Sequence, residues 1–524
     1  MKWLKGAAIA VMALVLALIF VRELAPLPSL ENRTRSTAFD DTGGTPLGRA
    51  VAPAAGAHPN LSGVHLLADA REAFAARASL ARSAARSIDA QYYIWHDDLT
   101  GTLLFNELRA AAERGVRIRL LLDDNSTAGL DPVIAALDAD PNIEVRFFNP
   151  FTIRRPRLLG YLTDFSRLNR RMHNKSFTVD NQATIVGGRN IGNEYFGAGG
   201  GSLFVDLDAL AVGPVVRDVS RQFDAYWASG SSYPADRIVP SISGAELRSI
   251  EARLTSAASN PDSRTFLAAT RDLPPMEDMV EQQGAFEWAP VRMISDDPAK
   301  GLGRASPDDL LFSKLTASMG EPERSLDLVS GYFVPAEAGT RGLSEMAARG
   351  VGVTVLTNAL EATDVPIVYA GYAKWRKPLL RAGVRLFELR GSDAAAQPSR
   401  GVSGVGSTGS RLTGSGSALH AKTFAVDRAR LFIGSFNFDP RSANLNTELG
   451  FVIESRPLAA HMDDVLKRFA PERAYEVRLS PDGDLYWIER SDRREVRHDS
   501  EPGTTRWQRA AIAVLSLLPI EWLL

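Results

Sequence analysis

The stretch MHNKSFTVD, Met172–Asp180, carries a histidine, a lysine two residues later and an aspartate five beyond that on a strand-like run. Residues two apart on a strand share a face, so His173 and Lys175 point the same way and Asp180 does not. Taken alone the stretch fits a metal site, an ordinary strand, or half of something larger. A second copy decides between them. HAKTFAVD, His420–Asp427, stands 247 residues further on. Each copy is followed, after six intervening residues, by Gly-x-x-Asn: GGRN at Gly187–Asn190 and GSFN at Gly434–Asn437.

The duplication extends outward from the motif. SLDLVSGYF (Ser325–Phe333) echoes SIDAQYYIW (Ser87–Trp95) at an offset of 238, and the Arg-Gly-Val turns recur at 235. Within each copy an apolar strand, an amphipathic helix ended by glycine and a second strand form a βαβ unit. The expected fold is α/β: two pseudo-symmetric halves, each a mixed, largely parallel sheet flanked by helices, with the site at the interface between halves. The expected boundaries are an N-terminal anchor at 1–25, a flexible tether at 26–60, a first half at 61–240, a connecting segment at 241–283, a second half at 284–490 and a C-terminal tail at 491–524. Gly- and Ser-rich residues Arg390–Ala418 read as a mobile lid or substrate-access loop.

Each half offers an imidazole, an ammonium and neutral donors on one patch. That is a poor metal site, because lysine is not a normal ligand and no second ligand has suitable spacing. It is a good phosphodiester site. Lys175 and Lys422 suit the non-bridging oxygens. One of His173 and His420 can attack phosphorus, and the other can protonate the leaving alkoxide. Asp180 and Asp427 are expected to brace the hairpin that follows each motif strand. Asn190, Ser435 and Asn437 are expected beside the phosphate. No cysteine is present, which removes thiolate chemistry, and the net charge of −2 gives no global pull toward nucleic acid.

These residues resemble the phospholipase D superfamily, whose signature is a duplicated His-x-Lys-x4-Asp followed by Gly-Ser/Gly-x-Asn. The stretches GGRNIGNEYF, DLDALAVGP, GSFNFDPRSANLNTELG and LLPIEWLL are similar to its bacterial cardiolipin synthase C branch. The resemblance implies a phosphatidyltransferase without cofactor or metal, with phospholipid substrates: phosphatidylglycerol, and phosphatidylethanolamine as a second candidate. It implies His173 as nucleophile, His420 as general acid, and Glu448 and Asp206 as carboxylates that orient imidazoles. Gly188 departs from the commoner serine. Hydrolysis and transfer differ only in which hydroxyl resolves the phosphohistidine, and the residues alone do not choose; a nuclease is disfavoured by the near-neutral body.

The N-terminus has Lys2 and Lys5 before an uncharged run, Gly6–Val21, and reads as an uncleaved signal anchor in a bacterial inner membrane with the body on the periplasmic side. The arginines between Arg154 and Arg171, mixed with Phe, Leu and Tyr, read as an arm for an anionic lipid surface. The apolar C-terminus fits a membrane-surface segment or a tail docked on the body. Asp123 and Asp124 read as turn or cap residues, His96 as a loop histidine, and the aromatic run around Tyr92 and Tyr93 as core; His58, His65, His461 and His498 take no role.

Overall fold

The computed structural model describes residues 2–199, 203–270, 278–279, 282, 284–391, 418–491 and 494–524. In the first half, strands Ser62–Leu67, Asp208–Val212, Ala183–Gly187, Ser176–Val179, Ser87–Ile94, Arg117–Ser126 and Ile143–Phe148 lie side by side in that order, with Glu287–Ala289 and Ser232–Pro234 at the edges. The second half repeats the order with Val291–Ser295, Leu449–Ile453, Arg430–Gly434, Lys422–Val426, Ser325–Ser330, Gly352–Asn358 and Arg385–Leu389, and adds three antiparallel strands beyond. The mixed α/β halves are as expected, but "largely parallel" is corrected. Parallel pairing is confined to three neighbouring strands in each sheet. The motif strands return by tight hairpins, and a hairpin can only pair antiparallel.

The two sheets meet over a shared apolar layer. Val64, Val186, Ala209 and Ala211 of the first half pack with Leu431, Ile433, Phe451 and Ile453 of the second. The chain passes directly from one sheet to the other, since Glu287–Ala289 closes the first and Val291–Ser295 opens the second.

The tether is a second correction. Pro46–Ala57 is a helix capped by Thr45, and it buries Leu47 and Val51 against the first half. Upstream, the carbonyls of Thr34, Ser36 and Thr37 accept from Arg146, Arg119 and Arg117 at 2.5, 2.9 and 2.7 Å. Those guanidiniums lie on one face of the sheet, and an extended Ser/Thr segment supplies them with further acceptors through its backbone. The connecting segment forms helices Gly244–Ser256 and Pro261–Ala268, whose Leu254 and Phe266 join the first core. Residues 392–417, the core of the expected lid, lie outside the described residues. The tail docks on the body at its end, where Leu524 is buried and its carbonyl accepts from the Arg441 N–H at 2.6 Å, while Trp507 and Leu517 stand exposed.

The motif aspartates shape both halves. Asp180–Asn181 and Asp427–Arg428 all have φ between 51° and 55°, and Gln182 and Ala429 donate back to Val179 and Val426. Each pair is therefore a two-residue turn of the kind that matches strand twist, and Asp tolerates its left-handed geometry. From that turn Asp180 accepts three backbone N–H groups, from Ala85, Arg86 and Ser87 at 3.0, 2.8 and 2.9 Å. Asp427 does the same for Glu323, Arg324 and Ser325 at 3.1, 2.7 and 3.0 Å. These carboxylates thus fix the start of each central strand. Asp180→Ala should cost about 3 kcal/mol by stranding three donors of a charge-assisted set, and Asp180→Asn clearly less. The shift in urea midpoint measures both; equal losses would remove the carboxylate from this role.

Candidate active site

His173 and His420 each sit at the entry of a motif strand, and each is placed by the opposite half. The His173 N–H donates to the Thr447 carbonyl at 2.8 Å, and the His420 N–H to the Val205 carbonyl at 2.8 Å. These exchanged contacts bring the residue after each carbonyl, Glu448 or Asp206, onto the other half's imidazole. His173 Nδ1 lies 2.9 Å from Glu448 Oε2, and His420 Nδ1 lies 2.6 Å from Asp206 Oδ2. The anchoring is crossed, so neither half holds a complete site.

All six groups are buried. Lys175 Nζ donates to the His173 carbonyl at 2.6 Å, and Lys422 Nζ donates likewise to the His420 carbonyl. Burial lowers Lys175 well below the ordinary lysine range and brings Lys422 to about 8. Burial also pushes His420 down to about 4, helped by the Lys422 ammonium, and lowers His173, which feels both Lys175 and Lys422. Burial alone would raise Asp206; His420, Lys422 and Arg189 overcome it and hold Asp206 below the usual carboxylate range. Glu448 is pushed up by burial to about 7. His173 and His420 each respond to the other half's lysine, which places both imidazoles in one electrostatic environment.

The two anchors differ in a way that bears on chemistry. His173 Nδ1 also meets the Ser435 carbonyl at 3.1 Å. A carbonyl only accepts, so Nδ1 carries the proton and Nε2 keeps its lone pair. Among the described residues Asp206 is the one hydrogen-bond partner of the His420 ring. Ser435 Oγ donates to Glu448 and accepts from Leu449 N at 3.0 Å, so this serine holds the carboxylate as well as lining the site. The Asn190 amide spans the scaffold, accepting from Ile94 N at 3.1 Å and donating to Tyr195 Oη at 2.9 Å. Asn437, at the matching place, keeps a buried Oδ1 without a donor among the described residues.

Several neighbours escaped the sequence reading. Tyr93 packs edge-on to His173, with ring centres 5.0 Å apart, on the face opposite the core residue Tyr92. Tyr195, Phe204 and Tyr332 surround His420 at 5.2, 5.3 and 6.4 Å. Strand parity separates Tyr93 from Tyr92 and could have flagged it; nothing local marks the other three. Asp123 and Asp124 make the expected local turn bonds, to Asn125 N and to the Thr127 hydroxyl, and are buried anchors as well: Asp123 binds Arg171 and Met172 N, and Asp124 binds Arg154 and Arg157. The basic arm is therefore largely neutralised internally. What its helix Arg157–Leu168 exposes is Leu158, Leu162 and Phe165. His96 pairs with Glu194 at 3.2 Å, and with Asp98 these form a group of possible ligand atoms, but Asp98 is spent capping helix Leu99–Glu113 and binding Asn193 N.

Gly188 has a steric reason. A Cβ there would fall 2.1 Å from Asp206 Oδ1. Glu448 is one methylene longer than Asp206, and in that half a serine fits beside the carboxylate. Gly188→Ala should push Asp206 off His420 and lower phosphodiester turnover at least about tenfold, with Ser435→Ala milder because its backbone carbonyl remains. Steady-state rates of the two variants test this; an undiminished Gly188→Ala enzyme would contradict it.

The family model described as "Cardiolipin synthase, PLD-like domain" matches residues 78–227 and 315–470. The chain is 47% identical to cardiolipin synthase C of Escherichia coli, over 91% of this chain and 99% of that protein. It is 26% identical to cardiolipin synthase A of Pseudomonas entomophila, over 83% and 74% of the two chains. Its fold is similar to the crystal structure of phosphatidylserine synthase from Haemophilus influenzae, with a TM-score of 0.56, 14% identity, and coverage of 92% and 100%. With duplicated His-x-Lys strands, crossed carboxylates and two matched domains, the chain belongs to the cardiolipin synthase family of phospholipase D-like proteins.

Proposed function

We propose that the protein is a membrane-associated phosphatidyltransferase that passes a phosphatidyl group through a phosphohistidine to a phosphatidylglycerol hydroxyl. The observation that carries this is the pair of buried imidazoles, one from each half, with a lysine beside each and Nδ1 of each held from across the interface. The likeness to cardiolipin synthases over nearly the whole chain supports phospholipid substrates.

In this reading His173 Nε2 attacks phosphorus while the phosphorus–oxygen bond to the leaving alkoxide breaks. His420 Nε2–H gives its proton to that alkoxide. The neutral His420 then takes the proton of an incoming hydroxyl, whose oxygen attacks phosphorus. The phosphorus–nitrogen bond breaks and its electron pair returns to His173. Lys175 and Lys422 hold the non-bridging oxygens. Residues 61–240 and 284–490 act as one catalytic unit, since each supplies the other's orienting carboxylate.

Membrane association rests on three segments. Helix Lys2–Leu24 contains a 22-residue span, Trp3–Leu24, of mean hydropathy 2.6, with none of it buried. It runs beside helix Arg157–Leu168, whose exposed leucines and phenylalanine continue the apolar surface. Arg441 ties the Asn169 cap of that helix to the Leu523 carbonyl of the tail, which brings the end of the tail, with its exposed Trp522, close to that helix. This surface suits a bilayer with the anchor in the inner membrane and the body outside it.

Enzyme in vesicles of labelled phosphatidylglycerol should yield cardiolipin; phosphatidic acid alone would make it a hydrolase, and cleaved DNA with no lipid product would sink both. His173→Ala should abolish the covalent phosphatidyl-enzyme, whereas His420→Ala should let it accumulate; the reverse pattern exchanges the roles. The pH profile gives an independent check. Lys422 is cationic below about 8 and loses its charge above, so kcat/KM should fall on an alkaline limb near pH 8. Lys422→Arg should move that limb out of range; a limb unchanged in the arginine variant assigns it elsewhere.

A further inference from the structure

The reaction puts two alcohols in turn beside His420, the one that leaves and the one that enters. Whatever lines that side selects the alcohol. On the His173 side the lining is neutral: Tyr93 Oη accepts from Asn125 Nδ2 at 3.2 Å, and Tyr161 Oη donates to Asn125 Oδ1 at 2.6 Å. On the His420 side a carboxylate takes that place. Tyr332, whose ring stands beside the His420 imidazole, donates from Oη to Asp364 Oδ2 at 2.7 Å. Asp364 is half-buried, and among the described residues no lysine, arginine or histidine forms an ion pair with it. Its charge reaches Lys422 and Tyr195, which places it within the field of the site.

A carboxylate with no ion-pair partner among the described residues, next to a phosphodiester site, opposes binding of the phosphate. It is tolerable where the ligand itself brings hydrogen-bond donors. A second acceptor points to the same need. Asn437 Oδ1 is buried and receives no donor among the described residues, whereas Asn190, its counterpart, accepts the Ile94 N–H. The residue after Asn437 is laced to the Tyr332 segment: Phe438 N donates to Ser330 Oγ at 3.1 Å, and the Phe438 carbonyl accepts from Val334 N at 2.8 Å. A carboxylate that accepts from Tyr332 alone and an amide oxygen with no donor, both taken among the described residues, thus lie beside the stretch that carries Tyr332.

We propose that Asp364, positioned by Tyr332, and Asn437 Oδ1 form the subsite for the acceptor headgroup, and that the headgroup is a polyol whose second hydroxyl they bind. This rests on the transferase reading above. The bound hydroxyl donates to Asp364 while its neighbour presents its oxygen to phosphorus and its proton to His420 Nε2. The subsite separates a glycerol-like acceptor from a simple alcohol and from water.

The test uses the full chain in phosphatidylglycerol vesicles with isotope-labelled glycerol, 1-propanol or ethanolamine as soluble acceptors, and reads the label that enters lipid. In the wild type, kcat/KM should favour glycerol over 1-propanol. Asp364→Asn should reduce that preference about tenfold, and Tyr332→Phe, which frees the carboxylate, by a smaller factor. Phosphatidyl-enzyme formed by each variant in the absence of soluble acceptor reports that the site is assembled. If glycerol and 1-propanol fall together, Asp364 is structural and the subsite is wrong. A selective loss of ethanolamine transfer would make it an ammonium site and overturn the polyol assignment. A wild-type enzyme that forms the covalent species but transfers to no alcohol fails the transferase reading itself, and the subsite with it.

Discussion

Everything in this molecule turns on the crossed hydrogen bonds between imidazole and carboxylate. His173 reaches Glu448 and His420 reaches Asp206, each across the interface between halves. Each bond is set by a backbone exchange one residue earlier, at Thr447 and at Val205. Separate the halves by a few ångströms and both imidazoles lose tautomer and orientation together. The apolar layer between the sheets is therefore part of the catalytic geometry. So are the motif aspartates, although neither shares the imidazole contacts: they start the central strands on which the register of the motif strands depends.

How much of this the sequence discloses varies by interaction range. The duplicated His-x-Lys-x4-Asp is a local pattern with an equally local geometry. Strand parity sets His173 and Lys175 apart from Asp180, and the Asp-x pair announces a two-residue turn. The crossing of the carboxylates is not local: Glu448 and Asp206 are recognisable as acids after the motif, but which imidazole each serves depends on which strand ends are exchanged. The arginine-rich arm misleads for the same reason. Arg154, Arg157 and Arg171 look free until Asp123 and Asp124, some 30 to 48 residues earlier, are folded against them. The low-complexity stretch before residue 60 looks like a tether because composition does not reveal that its carbonyls complete three guanidiniums.

Electrostatically the site is built to want an anion. Two lysines are buried with their own histidine carbonyls as hydrogen-bond acceptors, and the two carboxylates nearby face imidazoles rather than ammoniums. Burial works against every one of these cations, and it is this that moves Lys422 and both histidines down. An arriving phosphodiester supplies the missing negative charge and reverses that pressure. The free enzyme therefore holds neutral imidazoles, fit for nucleophilic attack, while the complex favours the protonated form that a general acid requires.

The two halves descend to near symmetry in backbone and then part over one methylene. Asp206 is short and leaves room only for Gly188; Glu448 is longer and shares its site with Ser435. With the serine half comes a carbonyl at His173 Nδ1 that can only accept, and so that imidazole is confined to one tautomer with a free Nε2. At His420 the ionised Asp206 also only accepts, but its charge stabilises an imidazolium more than Glu448, pushed up to about 7, does at His173. A nucleophile must keep one state and an acid–base catalyst must change state. In the proposed reaction the unequal anchors favour the order that the resemblance implies, with His173 forming the bond and His420 moving the proton.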